Sequence, residues 1–122
     1  MNKKILVADD EQNIRLLMRR MLSNRYDVIE AQDGQEAIDI AHSENPDLIL
    51  MDLLMPGVDG YSALSSIKED KSTAKIPVII VSAVGLVLNK ELADRLGAAG
   101  YVTKPIDMNE LLGVIGKYLP GR

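Results

Sequence analysis

Asp9 and Asp10 stand side by side at the end of an apolar run, Ile5-Leu6-Val7-Ala8, and Asp52 closes a second run, Leu48-Ile49-Leu50-Met51. Two later apolar runs end at Ser82 and, just past Val102-Thr103, at Lys104. If these runs are parallel neighbours in one sheet, three carboxylates, a hydroxyl and an ammonium meet at one edge. Crowded carboxylates raise one another's pKa unless a cation joins them. Mg²⁺ takes one or two carboxylates together with water and phosphate oxygens. A carboxylate nucleophile beside such an ion, with a hydroxyl donor and a fixed positive charge, suits phosphoryl transfer to a carboxylate.

Each residue also has an ordinary reading. Asp10 reads as the N-cap of a helix whose dipole favours an acid there; that explains one acid but not the pair. Asp52 is followed by Leu53-Leu54-Met55, and Pro56-Gly57 delays the next helix, so capping does not account for it. Desolvation among apolar neighbours raises the pKa of such a carboxylate unless a positive charge compensates. Lys104 alone reads as a solvent-facing lysine, and Ser82 alone as a turn residue. Together they supply an answering charge and a hydrogen-bond donor for a phosphate oxygen.

The elements that must bring these residues together are legible in the apolar pattern. Strands are expected at Lys4–Ala8, Tyr26–Ala31, Leu48–Met51, Val78–Val81 and Tyr101–Thr103. Helices are expected after Asp10 (with Ile14, Leu17, Met18, Met21 and Leu22 at helical spacing), at Gln35–Glu44 facing inward with Ala37, Ile38 and Ala41, after the loop Met55–Gly60 to about Asp70, and at Asn89–Leu96 stopping at Gly97. A last helix capped by Asp107 carries the stripe Met108, Leu111, Leu112, Ile115 and Leu119. Strictly alternating strands and helices, the strands apolar throughout, imply an α/β fold with a parallel sheet covered on both faces. Right-handed crossovers then put the binding site beyond the carboxyl ends of the strands, where strand order reverses.

At 122 residues the chain fits one domain, taken as 1–122, with a core large enough to need no staples. There is no Cys, which excludes disulfides and thiolate metal sites. A net charge of −4 argues against direct nucleic-acid binding. No apolar stretch reaches the roughly 20 residues of a membrane span, and Met1-Asn2-Lys3-Lys4 leads straight into a strand without a signal-peptide pattern. These features predict a soluble, cytoplasmic domain. Four Tyr and neither Phe nor Trp leave an aliphatic core, in which Met18, Met21, Met51, Met55 and Met108 act as filler.

The whole chain resembles the receiver domain of two-component response regulators. The resemblance rests on Ile5-Leu6-Val7-Ala8-Asp9-Asp10-Glu11, on Asp47 through Gly60 with its Met51-Asp52-Leu53-Leu54-Met55-Pro56-Gly57 centre, on Ile76-Pro77-Val78-Ile79-Ile80-Val81-Ser82-Ala83, and on Gly97 through Pro105. It implies a flavodoxin-like, doubly wound sheet of five strands in the order 2-1-3-4-5 with five helices. Asp52 is then the phosphoacceptor for a phosphohistidine on a sensor histidine kinase or histidine phosphotransfer protein. Asp9, Asp10, Asp52 and the Leu54 backbone carbonyl are the Mg²⁺ ligands, with Mn²⁺ as a substitute. Lys104 pairs with the phosphoryl group, Ser82 is the switch hydroxyl, Tyr101 the switch aromatic that turns inward, and Ala83 the small residue that keeps the acceptor accessible. Lys104-Pro105 matches the family's cis peptide. The implied output is a changed surface on the fourth helix, fifth strand and fifth helix, read by a downstream protein, an output domain or a phosphorylation-dependent homodimer. Such a protein catalyses its own modification and loses the group slowly; it is not an enzyme in the ordinary sense.

The chain departs from the family pattern after Ser82-Ala83, where Val84-Gly85-Leu86-Val87-Leu88 replaces a polar loop. That run reads either as core contact of the fourth helix or as an apolar docking surface. Leu54 and Val84, both apolar, cannot orient a hydrolytic water, so a long-lived phosphorylated state is expected. His42 reads as an exposed residue at a helix end with no partner. Three other readings compete. A haloacid-dehalogenase-type phosphatase needs a second acid two positions after the nucleophile, where Asp52 is followed by Leu54. A flavin-binding domain needs a phosphate-cradling loop after the first strand. A phosphorylation-independent pseudo-receiver would act only as an interaction module, against which the complete residue set speaks. No effector sequence follows Tyr118-Leu119-Pro120-Gly121-Arg122, and both a stand-alone receiver and a domain of a longer regulator fit.

Overall fold

The computed structural model of the chain describes residues 2–83 and 87–119, with the backbone alone for 87–90. Val84-Gly85-Leu86 therefore lies outside the described residues, as do the Val87 and Leu88 side chains and residues 120–122. Ten elements alternate: β1 (Lys4–Ala8), α1 (Gln12–Leu22), β2 (Asp27–Ala31), α2 (Gly34–Glu44), β3 (Leu48–Asp52), α3 (Gly60–Glu69), β4 (Val78–Ala83), α4 (Val87–Arg95), β5 (Gly100–Lys104) and α5 (Met108–Tyr118). The five strands form one sheet in the order β2-β1-β3-β4-β5, every pairing parallel. The reversal of strand order falls between β1 and β3, and the two acid-bearing strand ends flank it.

Alternation along each strand divides the core in two. Leu6, Ala8, Ile49, Met51, Val78 and Ile80 face α2, α3 and α4, meeting Ala37, Ala41, Ala63, Leu64, Ile67 and Ala93. Ile5, Val7, Leu48, Leu50, Ile79 and Val81 face α1 and α5, meeting Met18, Leu22, Leu111 and Ile115. With both faces covered, β3 is buried from end to end, Asp52 included.

The helix ends follow local chemistry. Asp33, Asp59 and Asp107 cap α2, α3 and α5, each carboxylate accepting the backbone N–H three residues on. Gly97 takes φ +101 just beyond α4, and Lys104-Pro105 is cis. The turn from α3 into β4 is closed by the Lys68 ammonium, which donates to the carbonyls of Ala74 (3.1 Å) and Ile76 (2.5 Å).

Several sequence expectations need correction. α1 begins at Gln12, with Glu11 rather than Asp10 in the N-cap position. Leu17 is 38% exposed and Met108 45% exposed. The inward stripe of α1 runs through Ile14, Met18 and Leu22, one position away from Leu17, and Met108 is the first residue of α5, a turn ahead of its buried stripe Leu111, Ile115 and Leu119. β2 starts one residue later than expected, with Tyr26 buried before it, and α4 starts two residues earlier.

Candidate phosphoacceptor site

The parallel register carries the chemistry to one edge. Ala8 pairs with Met51, Asp52 with Val81, Ser82 with Thr103 and Ala83 with Lys104. Residues at and just past these pairs line an open cleft of about 420 Å³ bounded by Asp10, Glu11, Asp52, Leu54, Ala83 and Lys104.

Asp9 is buried and fully engaged. Its Oδ1 accepts the Glu11 N–H at 2.9 Å, and its Oδ2 accepts from Lys104 Nζ at 3.1 Å. α1 starts at Gln12 with Glu11 in the N-cap position, one residue past Asp10, and Asp10 is left exposed at the cleft. Carboxylate oxygens of Asp9, Asp10 and Asp52 all lie within 4.8 Å of one another. Three hard oxygen donors with this much negative charge fit a hard dication such as Mg²⁺.

Asp52 is 6% exposed. Burial pushes its pKa up to about 6, the Asp9 charge adds to the rise, and Lys104 and the Leu54 N–H oppose it. Burial alone would lower the Lys104 pKa, but the Asp52 and Asp9 charges outweigh it and hold the ammonium above its usual range. Lys104 Nζ lies 3.6 Å from Asp52 Oδ1 and 3.9 Å from Glu11 Oε1. It therefore answers Asp52, as the sequence implied, but hydrogen-bonds Asp9.

Ser82 is fully buried and does not line the cleft; its Oγ has no hydrogen-bond partner among the described residues. The Tyr101 hydroxyl is likewise buried and unpartnered among them. It is close enough to Tyr61 to raise that phenol's pKa, behind the larger effect of burial. Ala83 is exposed at the cleft mouth, and the Leu54 side chain, 63% exposed, stands beside it. Glu11, which also lines the cleft, is the residue that sequence reasoning misses; its place after the acid pair, at the start of α1, is the available signal. His42 does have partners: its Nδ1 lies 3.2 Å from Ser72 Oγ and 3.4 Å from Asp70 Oδ2. Val84 lies outside the described residues.

The response regulator receiver domain family model matches residues 5–116. The chain belongs to this family. Among curated relatives, this receiver is 37% identical over 121 residues to sporulation initiation phosphotransferase F of Bacillus subtilis, covering 98% of this chain and 96% of that one. It is 36% identical over 119 residues to protein PilH of Pseudomonas aeruginosa, covering 97% and 98%. It spans a smaller share of other relatives, 42% of a probable transcriptional regulator, ycf27, of Guillardia theta and 24% of response regulator PleD of Caulobacter vibrioides. Among solved structures, the receiver domain of a sensor histidine kinase from Pseudomonas aeruginosa, with a magnesium ion coordinated in its active-site cleft, superposes with a TM-score of 0.90 at 28% identity, covering 99% of this chain and 100% of that one. Chemotaxis protein CheY4 of Vibrio cholerae also superposes with a TM-score of 0.90, at 25% identity over 97% of this chain and 99% of that one. No helix among the described residues is long and apolar enough to cross a membrane.

The Leu54 side chain offers no donor or acceptor to a water approaching the cleft. The Leu54→Asn variant is expected to lose a phosphoryl group several-fold faster than the parent, read as adduct decay by intact mass. Equal or slower decay in the variant would show that this side chain does not govern hydrolysis.

Proposed function

We propose that this receiver takes a phosphoryl group from a phosphohistidine onto Asp52 and responds by repacking β4, α4, β5 and α5. The observation that carries the proposal is the Asp52 carboxylate, desolvated at the cleft, with Lys104 at 3.6 Å and the Asp9 and Asp10 oxygens within 4.8 Å. Asp10, Asp52 and the Leu54 carbonyl, with Asp9 beside them, are the groups that would hold Mg²⁺, with Mn²⁺ as a substitute. The ion would neutralise charge on the phosphoryl oxygens. An Asp52 oxygen forms the new P–O bond while the P–N bond to the donor imidazole breaks, and the leaving nitrogen keeps the bonding pair. Lys104 moves its charge from Asp9 toward the incoming phosphoryl oxygens.

Ser82 then gains an acceptor that it lacks among the described residues of the unmodified state. Leaving a buried hydroxyl unpaired costs roughly 1–3 kcal/mol. A partner that exists only after modification supplies the differential interaction a population shift requires. Tyr101, on the strand paired with Ser82's, extends the change to β5. The family assignment removes the phosphatase and flavin readings. The phosphorylation-independent module remains the alternative, and the assembled acids and Lys104 argue against it. On this proposal residues 1–122 form one cytoplasmic receiver, a phosphoacceptor without turnover of a separate substrate. It receives from a sensor kinase or phosphotransfer protein and signals to a downstream protein, an output domain or a second copy.

Amide chemical shifts with Mg²⁺ and beryllofluoride test the switching step. Changes beyond the cleft, in β4, β5 and the start of α5, are expected. Changes confined to residues 9–11, 52–54 and 104 would leave a site without an output.

A further inference from the structure

The Asp10 side chain, expected to hold the ion, makes no hydrogen bond of its own among the described residues, so its position depends on the backbone. That backbone is braced from an unexpected side. Arg15, in the first turn of α1, donates from Nη1 to the Asp9 carbonyl at 2.7 Å and from Nε to Glu30 Oε1 at 2.9 Å. Glu30, on β2, also accepts from Arg19 Nε at 2.7 Å, and Arg19 reaches on to the Val28 carbonyl at 3.0 Å. Hydrogen bonding from Arg19, only partly offset by burial, holds the Glu30 carboxyl below its usual range, and Arg15 adds to the effect. The Arg15 side chain is 13% exposed, so its guanidinium is held rather than sampling solvent.

We propose that Arg15, oriented by Glu30, is a positioning residue for the metal-binding acid pair; this rests on the Mg²⁺-dependent function proposed above. The peptide unit is planar, so fixing the direction of the Asp9 carbonyl also fixes the plane through which the chain enters Asp10. The same residue is tied at its other end, where the Asp9 N–H donates to the Ala31 carbonyl at 3.1 Å. Asp9 is thus clamped through its N–H and its carbonyl to β2 and to an arginine that β2 holds. Both braces lie outside the cleft, and neither Arg15 nor Glu30 lines it. A guanidinium spans the two acceptors through donors in a fixed fork; a lysine ammonium at this position has no planar fork and would hold them less rigidly.

Outlying groups that orient metal ligands typically contribute roughly 10–100-fold to affinity. Mg²⁺ titrations of the full chain, followed by amide shifts at Asp10 and Asp52, provide the test, with urea unfolding of the same samples. Arg15→Met is expected to bind Mg²⁺ about tenfold more weakly than the parent. Its rate of adduct formation with acetyl phosphate should return to the parent value at saturating Mg²⁺, since the nucleophile and Lys104 are untouched. Arg15→Lys and Glu30→Gln should fall between the two and keep the test open if Arg15→Met does not fold. Lys68→Met, which loosens the distant α3–β4 turn, serves as the stability control and should leave Mg²⁺ affinity unchanged. Parent-like affinity in every folded Arg15 and Glu30 variant would overturn the positioning role, as would an equal loss of affinity in Lys68→Met. A parent chain that binds no Mg²⁺ would overturn the proposed function itself.

Discussion

Asp52→Asn is expected to be more stable than the parent chain at pH 7 in metal-free buffer, by about 1–2 kcal/mol. The acid is harder to ionise in the folded protein than in the unfolded chain, its pKa rising from 3.8 to about 6. Between those values the folded state binds more protons, so stability falls as pH rises through the window. The penalty is complete above about pH 6 and absent below 3.8. A shift of this size corresponds to about 3 kcal/mol at full strength, and screening by water in the open cleft reduces it. Asparagine keeps the shape and removes the charge. Thermal or urea unfolding at several pH values checks the claim. The advantage of the variant should be present at pH 7 and vanish near pH 4. A variant no more stable than the parent at pH 7, or equally favoured at pH 4, would show that Asp52 is not held against its own ionisation. Added Mg²⁺ should stabilise the parent more than the variant, because binding to the folded state alone shifts the equilibrium by mass action.

Gly60→Ala is expected to cost about 3 kcal/mol, the upper end of the usual range for overpacking. A Cβ on Gly60 would run into the Asp52 carbonyl oxygen and the Leu53 Cα, both backbone atoms that cannot turn aside. The Gly60 N–H donates to the Leu53 carbonyl at 2.9 Å, so this close approach fastens the first turn of α3 to the residues after β3. At the start of α2, Gly34 packs in the same way against the backbone of Val58, in the loop that leads to Gly60. The segment that follows Asp52 is held between two helix starts that tolerate no side chain. Phosphoacceptance at the proposed acceptor should fall with stability, because the movement needed to admit the methyl displaces the backbone of Asp52 itself. Gly116→Ala is the contrast. It lies exposed within α5, and among the described residues a methyl there would meet no atom beyond its own helix backbone within 4 Å, so alanine should add about 0.5–1 kcal/mol. Urea unfolding of both variants separates the cases; similar costs would mean that the tight approach at Gly60 carries no weight.

Much of this arrangement is legible in the sequence because two signals agree. The apolar, unbroken runs at Ile5–Ala8, Leu48–Met51 and Val78–Val81 mark fully buried parallel strands, and an acid or hydroxyl at the end of each marks the functional edge. What the sequence hides has specific physical causes. Asp10 reads as a cap because any acid before a helical pattern looks like one; the turn in which Asp9 takes the Glu11 N–H depends on β1 ending where it does. Met108 and Leu17 sit at helical spacing from buried residues yet face outward, since one position around a helix is enough to leave the core. The partners of His42 come from residues 70 and 72, just past the end of α3, and no local pattern announces them. The Arg15–Glu30 brace joins residues of opposite charge on adjacent elements, where charge spacing along the chain carries no sign of pairing. Leu54 lies beside the cleft, where its position two residues after Asp52 places it.

The most direct test of the central claim is intact mass after incubation with acetyl phosphate, with and without Mg²⁺, on the parent chain and on Asp52→Ala. The account requires one alkali-labile phosphoryl adduct per parent chain, formed only with the divalent ion and absent from Asp52→Ala. No adduct on the parent, or the same adduct on Asp52→Ala, would contradict it.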